Sequence, residues 1–255
     1  MSSPRDRIEA RLGLAGPPLQ KLRAGSPAVP DHELIRRIGQ GGYGEVWLAR
    51  NSLGSLRAVK VVYRDSFKDD RPYEREFAGI RSFEPLSRHN EGFVDVLHVG
   101  RNDAEGWFYY VMELADDAGG GRGNQEAGSG SGATAASMAG HSDETGFCPP
   151  TSDPRPSIAD YAPRMLLSDL RRSGRLPLDQ CLELGLTLTL ALGYLHRHGL
   201  IHRDVKPSNI IFVGGVAKLA DIGLVTEAGE ANTFVGTEGF VPPEGPGTPS
   251  ALLPG

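Results

Sequence analysis

The sequence predicts an α+β fold in two lobes: a β-sheet lobe carrying one helix, followed by a mainly helical one. Three observations carry this prediction. Short β-rich runs alternate with Gly- and Asn-containing turns between residues 34 and 113, a charged amphipathic stretch interrupts them, and a Leu-dense segment runs from Leu178 to His198. With 255 residues, 39% apolar and 23% charged, the chain is long enough for one large domain or two small lobes. A net charge of −5 gives no chain-wide basic field, so a protein built to coat nucleic acid or anionic lipid is not expected.

Residues 1–30 form a polar lead segment punctuated by Pro17, Pro18, Pro27 and Pro30, which buries little. The first lobe and its exit segment are assigned to 31–114. There, Leu34-Ile35 with Ile38, Glu45 to Ala49 and Leu56 to Val62 read as a three-stranded antiparallel meander. Between Arg71 and Ser82, Tyr73, Phe77 and Ile80 fall on one helical face. Phe93 to Val99 and Trp107 to Glu113, turning at Asn102-Asp103, complete a five-stranded sheet. Residues 115–160 are Gly/Ser/Ala-rich and then Pro-rich with few large apolar side chains, and read as a disordered insertion.

The second lobe is assigned to 161–255. Order is expected to return with Met165 to Arg172, followed by a buried core helix over Leu178 to His198, where apolar residues surround the axis. Ile210 to Val213 and Ala217 to Leu219 form a hairpin over Gly214-Gly215. Cys148 and Cys181 make no metal-type spacing. No stretch has the roughly 18 to 20 consecutive apolar residues of a membrane span, and Arg5, Asp6, Arg7 and Glu9 occupy the place of a signal core. A cytoplasmic chain without a membrane span is the resulting expectation.

Four motifs carry chemistry. Gly39-Gln40-Gly41-Gly42-Tyr43-Gly44-Glu45-Val46 lies between two strand runs, where small residues let backbone amides approach a polyphosphate; alone it is unspecific. Lys60 is a lone cation in the apolar run Ala58 to Val62. It reads either as an edge-strand lysine in solvent or as a phosphate-binding cation steadied by Glu74 or Glu76 of the following helix. His202-Arg203-Asp204 followed by Asn209 fixes four polar identities in one short loop and is the most specific signal in the chain. Asp221-Ile222-Gly223 follows the hairpin; by itself it is a turn, as are Gly236-Thr237 and Pro242-Pro243-Glu244.

Taken in order, these motifs resemble the signature set of the eukaryotic-type (Hanks-type) serine/threonine protein kinases over about Leu34 to Glu244, apart from the insertion. Lys206, two residues after Asp204, is similar to the serine/threonine branch. The resemblance implies a two-lobed kinase fold that transfers phosphate from ATP, with Mg²⁺, to serine or threonine hydroxyls of a protein substrate. It casts Asp204 as the base for the acceptor hydroxyl and Lys206 as a partner of the transferring phosphate. Lys60 and Glu76 become the phosphate-binding pair, with Glu76 preferred over Glu74. Gly39, Gly41 and Gly44 would line the phosphates, and Asn209 and Asp221 would hold the metal. Val46 and Ala58 would cover the adenine, Met112 would be the gatekeeper, and Glu113 to Ala115 would be the hinge that binds the base. Arg203 would face the activation segment, where Thr226 and Thr233 are candidate phosphosites.

Two departures from the family pattern are small: Ile222 stands where Phe is usual, and Pro242 where Ala is usual. A third is larger. After Glu244 only Gly245 to Gly255 remain, so the later helices of the family are expected to be missing, leaving exposed apolar surface for a partner or a further C-terminal region to cover. The alternative reading is therefore a non-catalytic nucleotide-binding or regulatory module, or an inactive truncated fragment. The complete set Lys60, Asp204, Asn209 and Asp221 favours the enzyme; the absent helices favour the alternative.

Overall fold

The structure, a computed structural model, describes residues 27–41, 43–119, 158–221, 226–227 and 240. Its first lobe is a five-stranded antiparallel sheet of β1 (His32–Gln40), β2 (Gly44–Asn51), β3 (Leu56–Tyr63), β4 (Val96–Asn102) and β5 (Trp107–Met112), in the order β1-β2-β3-β5-β4. One helix, α1 (Asp70–Ser87), lies against it. The Asp69 side chain caps α1 by accepting from the Arg71 amide at 3.0 Å.

Strand periodicity sorts the lobe into two packed faces. On β3, Val59, Val61 and Tyr63 turn one way, joining Trp107, Tyr109 and Val111 of β5 and Ala49 of β2. Ala58 and Val62 turn the other way, joining Phe108, Tyr110 and Met112 under Tyr73, Ile80 and Phe83 of α1. The helical face expected from Tyr73, Phe77 and Ile80 is the one that packs. The helix runs further than expected because Phe83 extends the same apolar stripe by one turn.

β4 starts later than the sequence suggests. Phe93 leaves the sheet and bridges to Leu219 of the second lobe, where the Val94 amide donates to the Leu219 carbonyl at 3.0 Å and the Leu219 amide to that of Gly92 at 2.7 Å. These bonds join the first lobe to the hairpin β7 (Ile210–Val213) and β8 (Val216–Leu219). That lobe also holds α2 (Leu166–Ser173), α3 (Leu178–Arg197), and β6 (Leu200–Ile201) paired with β9 (Thr226–Glu227).

α3 is packed on one side by the described residues. Ala191 and Leu195 are buried and Leu184, Leu188 and Leu192 pack beside them. Leu178, Leu182, Leu186 and Leu190, spaced four residues apart, form an outward stripe that is 74%, 66%, 64% and 59% exposed. The apolar residues do surround the axis, but the described residues cover only one side. The ends of the Gly/Ser/Pro-rich stretch are also better defined than its composition suggests. The Ala118 amide donates to the Ala162 carbonyl at 2.8 Å, and the Arg164 amide to that of Asp116 at 2.7 Å. Residues 1–26 and 120–157 lie outside the described residues, as do 241–255.

One glycine of the β1–β2 loop has a packing reason for its identity. A Cβ on Gly44 would sit 2.1 Å from the Val61 carbonyl oxygen, a backbone atom that cannot give way, whereas one on Gly41 would meet nothing within 4 Å. Gly44→Ala is therefore expected to lower the unfolding free energy by about 2 kcal/mol or more, and Gly41→Ala to leave it nearly unchanged, as read by urea denaturation.

Candidate active site

The alternation along β3 that buries Ala58 and Val62 places Lys60 on the same face, directly beneath α1. Lys60 is thus not an exposed edge residue: β3 lies between β2 and β5, and its side chain is buried. Its ammonium lies 2.5 Å from Asp221 Oδ1, 3.6 Å from Glu76 Oε1 and 5.8 Å from the centre of the Tyr110 ring. Glu74 points elsewhere and makes a two-pronged pair with Arg101 at 2.7 Å for each bond. Between the two carboxylates named from the sequence, the helix brings Glu76 to Lys60.

Loss of water opposes charge on buried Lys60 and Glu76 and on the part-exposed Asp221, and the partners decide the outcome. For Lys60, burial works to lower the pKa, but Asp221, Tyr110 and Glu76 together hold it well above its ordinary value. Burial would raise Asp221, yet Lys60 overrides it and keeps the carboxyl below its usual range. Glu76 goes the other way: burial outweighs the more distant Lys60 and pushes it up to about 7.

The second group comes from the loop after β6. A short 3₁₀ turn, Pro207–Asn209, brings Asn209 back onto Asp204. The Asn209 side-chain amide donates to the Asp204 carbonyl at 2.9 Å and to its Oδ2 at 2.8 Å, and the Lys206 ammonium lies 2.7 Å from the same Oδ2. Beneath them His202 is buried, which depresses its pKa; its Nδ1 accepts from the Asp204 amide at 3.3 Å. The imidazole is thereby neutral and acts as a brace for the loop.

A backbone bond joins the two groups. The Ala220 amide donates to the Asn209 carbonyl at 2.8 Å, which places Asp221 next to the loop. Arg203 and Asp221 both hold positive φ, 68° and 56°, a conformation that costs a non-glycine residue about 1 kcal/mol or more. Such cost is tolerated where the surroundings over-determine the backbone, and here it falls on the two ends of the assembled site.

The remaining sequence-named residues lie on β1, β2, β3, β5 and the segment that follows Met112. Gly39 ends near Val46 across the β1–β2 ladder, and the Gly41 amide donates to the Gly44 carbonyl at 2.9 Å. At the loop tip, Tyr43 stacks on Phe67 with ring centres 4.5 Å apart. Ala58 and Met112 face each other across β3 and β5, with Val46 packed beside them. Beyond Met112, the Glu113 carboxylate accepts from the Lys218 ammonium at 2.6 Å and the Asp95 amide at 2.9 Å. The Ala115 carbonyl accepts from the Tyr161 hydroxyl at 2.9 Å. Gly42, Ile222, Gly223, Thr233, Gly236, Thr237 and Pro242 to Glu244 lie outside the described residues, and of Thr226 only the backbone is described.

Lys218, Tyr161, Tyr110 and Arg36 were not among the residues singled out from the sequence. Lys218 and Tyr110 sit in strands whose alternation says only which face they take. Tyr161 had a signal: it is the first aromatic after the apolar-poor stretch, at the point where order returns.

Among the described residues no group of three or more His, Cys, Asp or Glu could hold a metal by itself. Asn209 spends its amide hydrogens on Asp204, so its oxygen, which accepts a long 3.4 Å bond from the Ser208 hydroxyl, is the end that could ligate, and the Asp221 carboxylate is 42% exposed. One amide oxygen and one carboxylate suit a hard cation that takes its other ligands from phosphate and water. No helix among the described residues is long and apolar enough to cross a membrane.

Comparison with known proteins agrees with this geometry. A family model described as a protein kinase domain matches residues 156–246. A serine/threonine-protein kinase of Corynebacterium efficiens, drp72, is 27% identical over 84% of this chain and 34% of its own length. Serine/threonine-protein kinase PknA of Mycobacterium tuberculosis is 28% identical over 84% of this chain and 41% of its own. Serine/threonine-protein kinase 36 of Pongo abelii is 42% identical over 34% of this chain and 7% of its own. The chain thus spans well under half the length of these relatives.

The raised Glu76 carboxyl sets a pH dependence. Because its folded pKa, about 7, lies above the ordinary value of 4.5, its contribution to stability is complete below 4.5 and is lost as pH rises through 7. Relative to Glu76→Gln, the wild-type chain is expected to lose stability between about pH 5 and pH 7.5, measured by denaturant unfolding at each pH. Parallel curves for the two proteins would contradict the assignment.

Proposed function

We propose that the chain is a serine/threonine protein kinase of the Hanks type, which transfers the γ-phosphoryl group of ATP to serine or threonine hydroxyls of a protein substrate, a reading supported by the match of residues 156–246 to a protein kinase domain and by the likeness to serine/threonine-protein kinases. The observation that carries this reading is the Asp204 carboxylate, buried and fixed by Asn209 and Lys206, and tied through the Asn209–Ala220 bond to the Lys60–Asp221 pair. Phosphoryl transfer needs little covalent help from the protein. It needs charges held in position, and this site holds four of them on two lobes joined by backbone bonds.

In this reading Asp204 orients the acceptor hydroxyl and takes its proton, and Lys206 balances charge on the transferring phosphate. Lys60, steadied by Glu76, binds the phosphates, while Gly39, Gly41 and Gly44 leave backbone amides open to them. Asn209 and Asp221 would hold Mg²⁺, which when bound neutralises charge developing on the phosphate oxygens. Val46, Ala58 and Met112 form the apolar walls for the adenine, and Glu113 to Ala115 its polar edge. Lys60 also has work without nucleotide: its bond to Asp221 keeps that carboxylate ionised and in place until a cation arrives.

The test follows labelled γ-phosphate from Mg·ATP into casein as a generic acceptor. Wild type is expected to transfer label, and Asp204→Asn to transfer it about a thousandfold more slowly while ATP still raises the melting temperature of both. Equal rates for wild type and variant would overturn the catalytic reading.

A further inference from the structure

The first-lobe sheet is closed to solvent on both faces, but among the described residues only one face has a second layer. α1 and the second lobe lie over the face that carries Lys60. On the opposite face Val59, Val61, Tyr63, Trp107, Tyr109 and Val111 are between 0% and 4% exposed. The apolar residues packed with them sit on β1 and β2, and among the described residues Val29 is the one member of the cluster outside the sheet. The indole N–H of Trp47 on β2 is also shut off from solvent, with no acceptor among the described residues. Side chains on a bare sheet face stand upright with their tips in water, so another part of this chain must lie over these.

Chain direction and composition select that part. The described structure begins at Pro27, and two residues later Val29 is already buried in the cluster. Residues 222–239 leave from Asp221, which faces the other side with Lys60. Residues 120–157 carry only Met138 and Phe147 as large apolar side chains, and 241–255 only Val241, Leu252 and Leu253. The lead segment is polar overall, yet it supplies Ile8, Leu12, Leu14, Leu19 and Leu22. Leu22 lies seven residues before Val29, a reach of about 23 Å in extended chain, and five strands span about 19 Å. Leu19 and Leu22 can therefore reach any strand of the face.

We propose that residues 1–26 dock on the outer face of the first-lobe sheet, with Leu19 and Leu22 seated over Trp47, Trp107 and the β3 valines. The face is an intramolecular docking surface, and its occupant is the segment that leads into β1. Val59 and Val61 flank Lys60 along β3, so the cover lies directly behind the strand that holds the buried ammonium. Its removal would leave a contiguous apolar patch on a sheet face, the kind of surface that a soluble chain hides.

The chain's two tryptophans, Trp47 and Trp107, both belong to this face, so their fluorescence reports on the cover directly. The experiment measures acrylamide quenching of the full chain, with cooperative melting followed in parallel. Wild type is expected to be quenched weakly, and the double variant Leu19→Asp with Leu22→Asp about threefold more strongly or beyond. Should that variant lose its cooperative melt, Leu22→Ala alone is expected to move quenching in the same direction by a smaller amount. Met138→Asp with Phe147→Asp is expected to leave quenching at the wild-type level. Free quenching of the wild-type chain overturns the proposal, as does unchanged quenching in folded Leu19 and Leu22 variants. A rise in the Met138 and Phe147 variant would assign the cover to residues 120–157, and a rise on dilution of wild type would assign it to a second copy; either result overturns the proposal.

Discussion

The buried ammonium of Lys60 is the interaction on which the rest of the site depends. A charge taken out of water is costly unless it is paired, and Lys60 is paired twice, with Asp221 from the second lobe and Glu76 from α1. The two partners respond differently because their distances differ. Asp221, at 2.5 Å, is held ionised by the lysine, whereas Glu76, at 3.6 Å and more deeply buried, is pushed toward neutrality. One cation thus connects sheet, helix and second lobe, and any change in the angle between the lobes must be felt there.

The loop from His202 to Asn209 is built on a different principle. Its members are close in sequence, so the 3₁₀ turn at Pro207 to Asn209 is enough to fold Asn209 onto Asp204, with buried His202 supporting the loop from below. What ties this local structure to the Lys60 cluster is backbone geometry: the hairpin delivers Asp221 through the Ala220–Asn209 bond, at the expense of positive φ at Asp221. Elsewhere, the Glu113–Lys218 pair ties the segment after β5 to the hairpin, and Arg36 and Tyr161 tie residues 158–161 to β1 and to the Ala115 carbonyl.

Much of this was legible in the sequence, and the reasons are physical. The β-rich run Leu56 to Val62 gives β3 but leaves open which way Lys60 faces; the stripe Tyr73, Phe77, Ile80 gives α1; and Gly214-Gly215 between apolar runs gives the hairpin. Residues whose role depends on a partner far along the chain were not legible. Nothing near Lys218 signals Glu113, 105 residues away, and nothing near Arg36 signals Tyr161, 125 away. The choice between Glu74 and Glu76 depends on helical phase relative to β3, which the sequence leaves open until Arg101 is seen to take Glu74. The outward leucines of α3 show the opposite limit, since composition reports that a helix is apolar all round but not which sides are covered.

The Lys60–Asp221 contact leads to the most direct measurement. If Asp221 is held ionised by Lys60 in order to receive a cation together with nucleotide, then Mg²⁺ must strengthen ATP binding through that carboxylate. Affinity of the full chain for ATP, measured by calorimetry with and without Mg²⁺ in wild type and Asp221→Asn, is expected to rise about tenfold or more with Mg²⁺ in wild type and by no more than about twofold in the variant. The same Mg²⁺ dependence in both proteins would contradict the account.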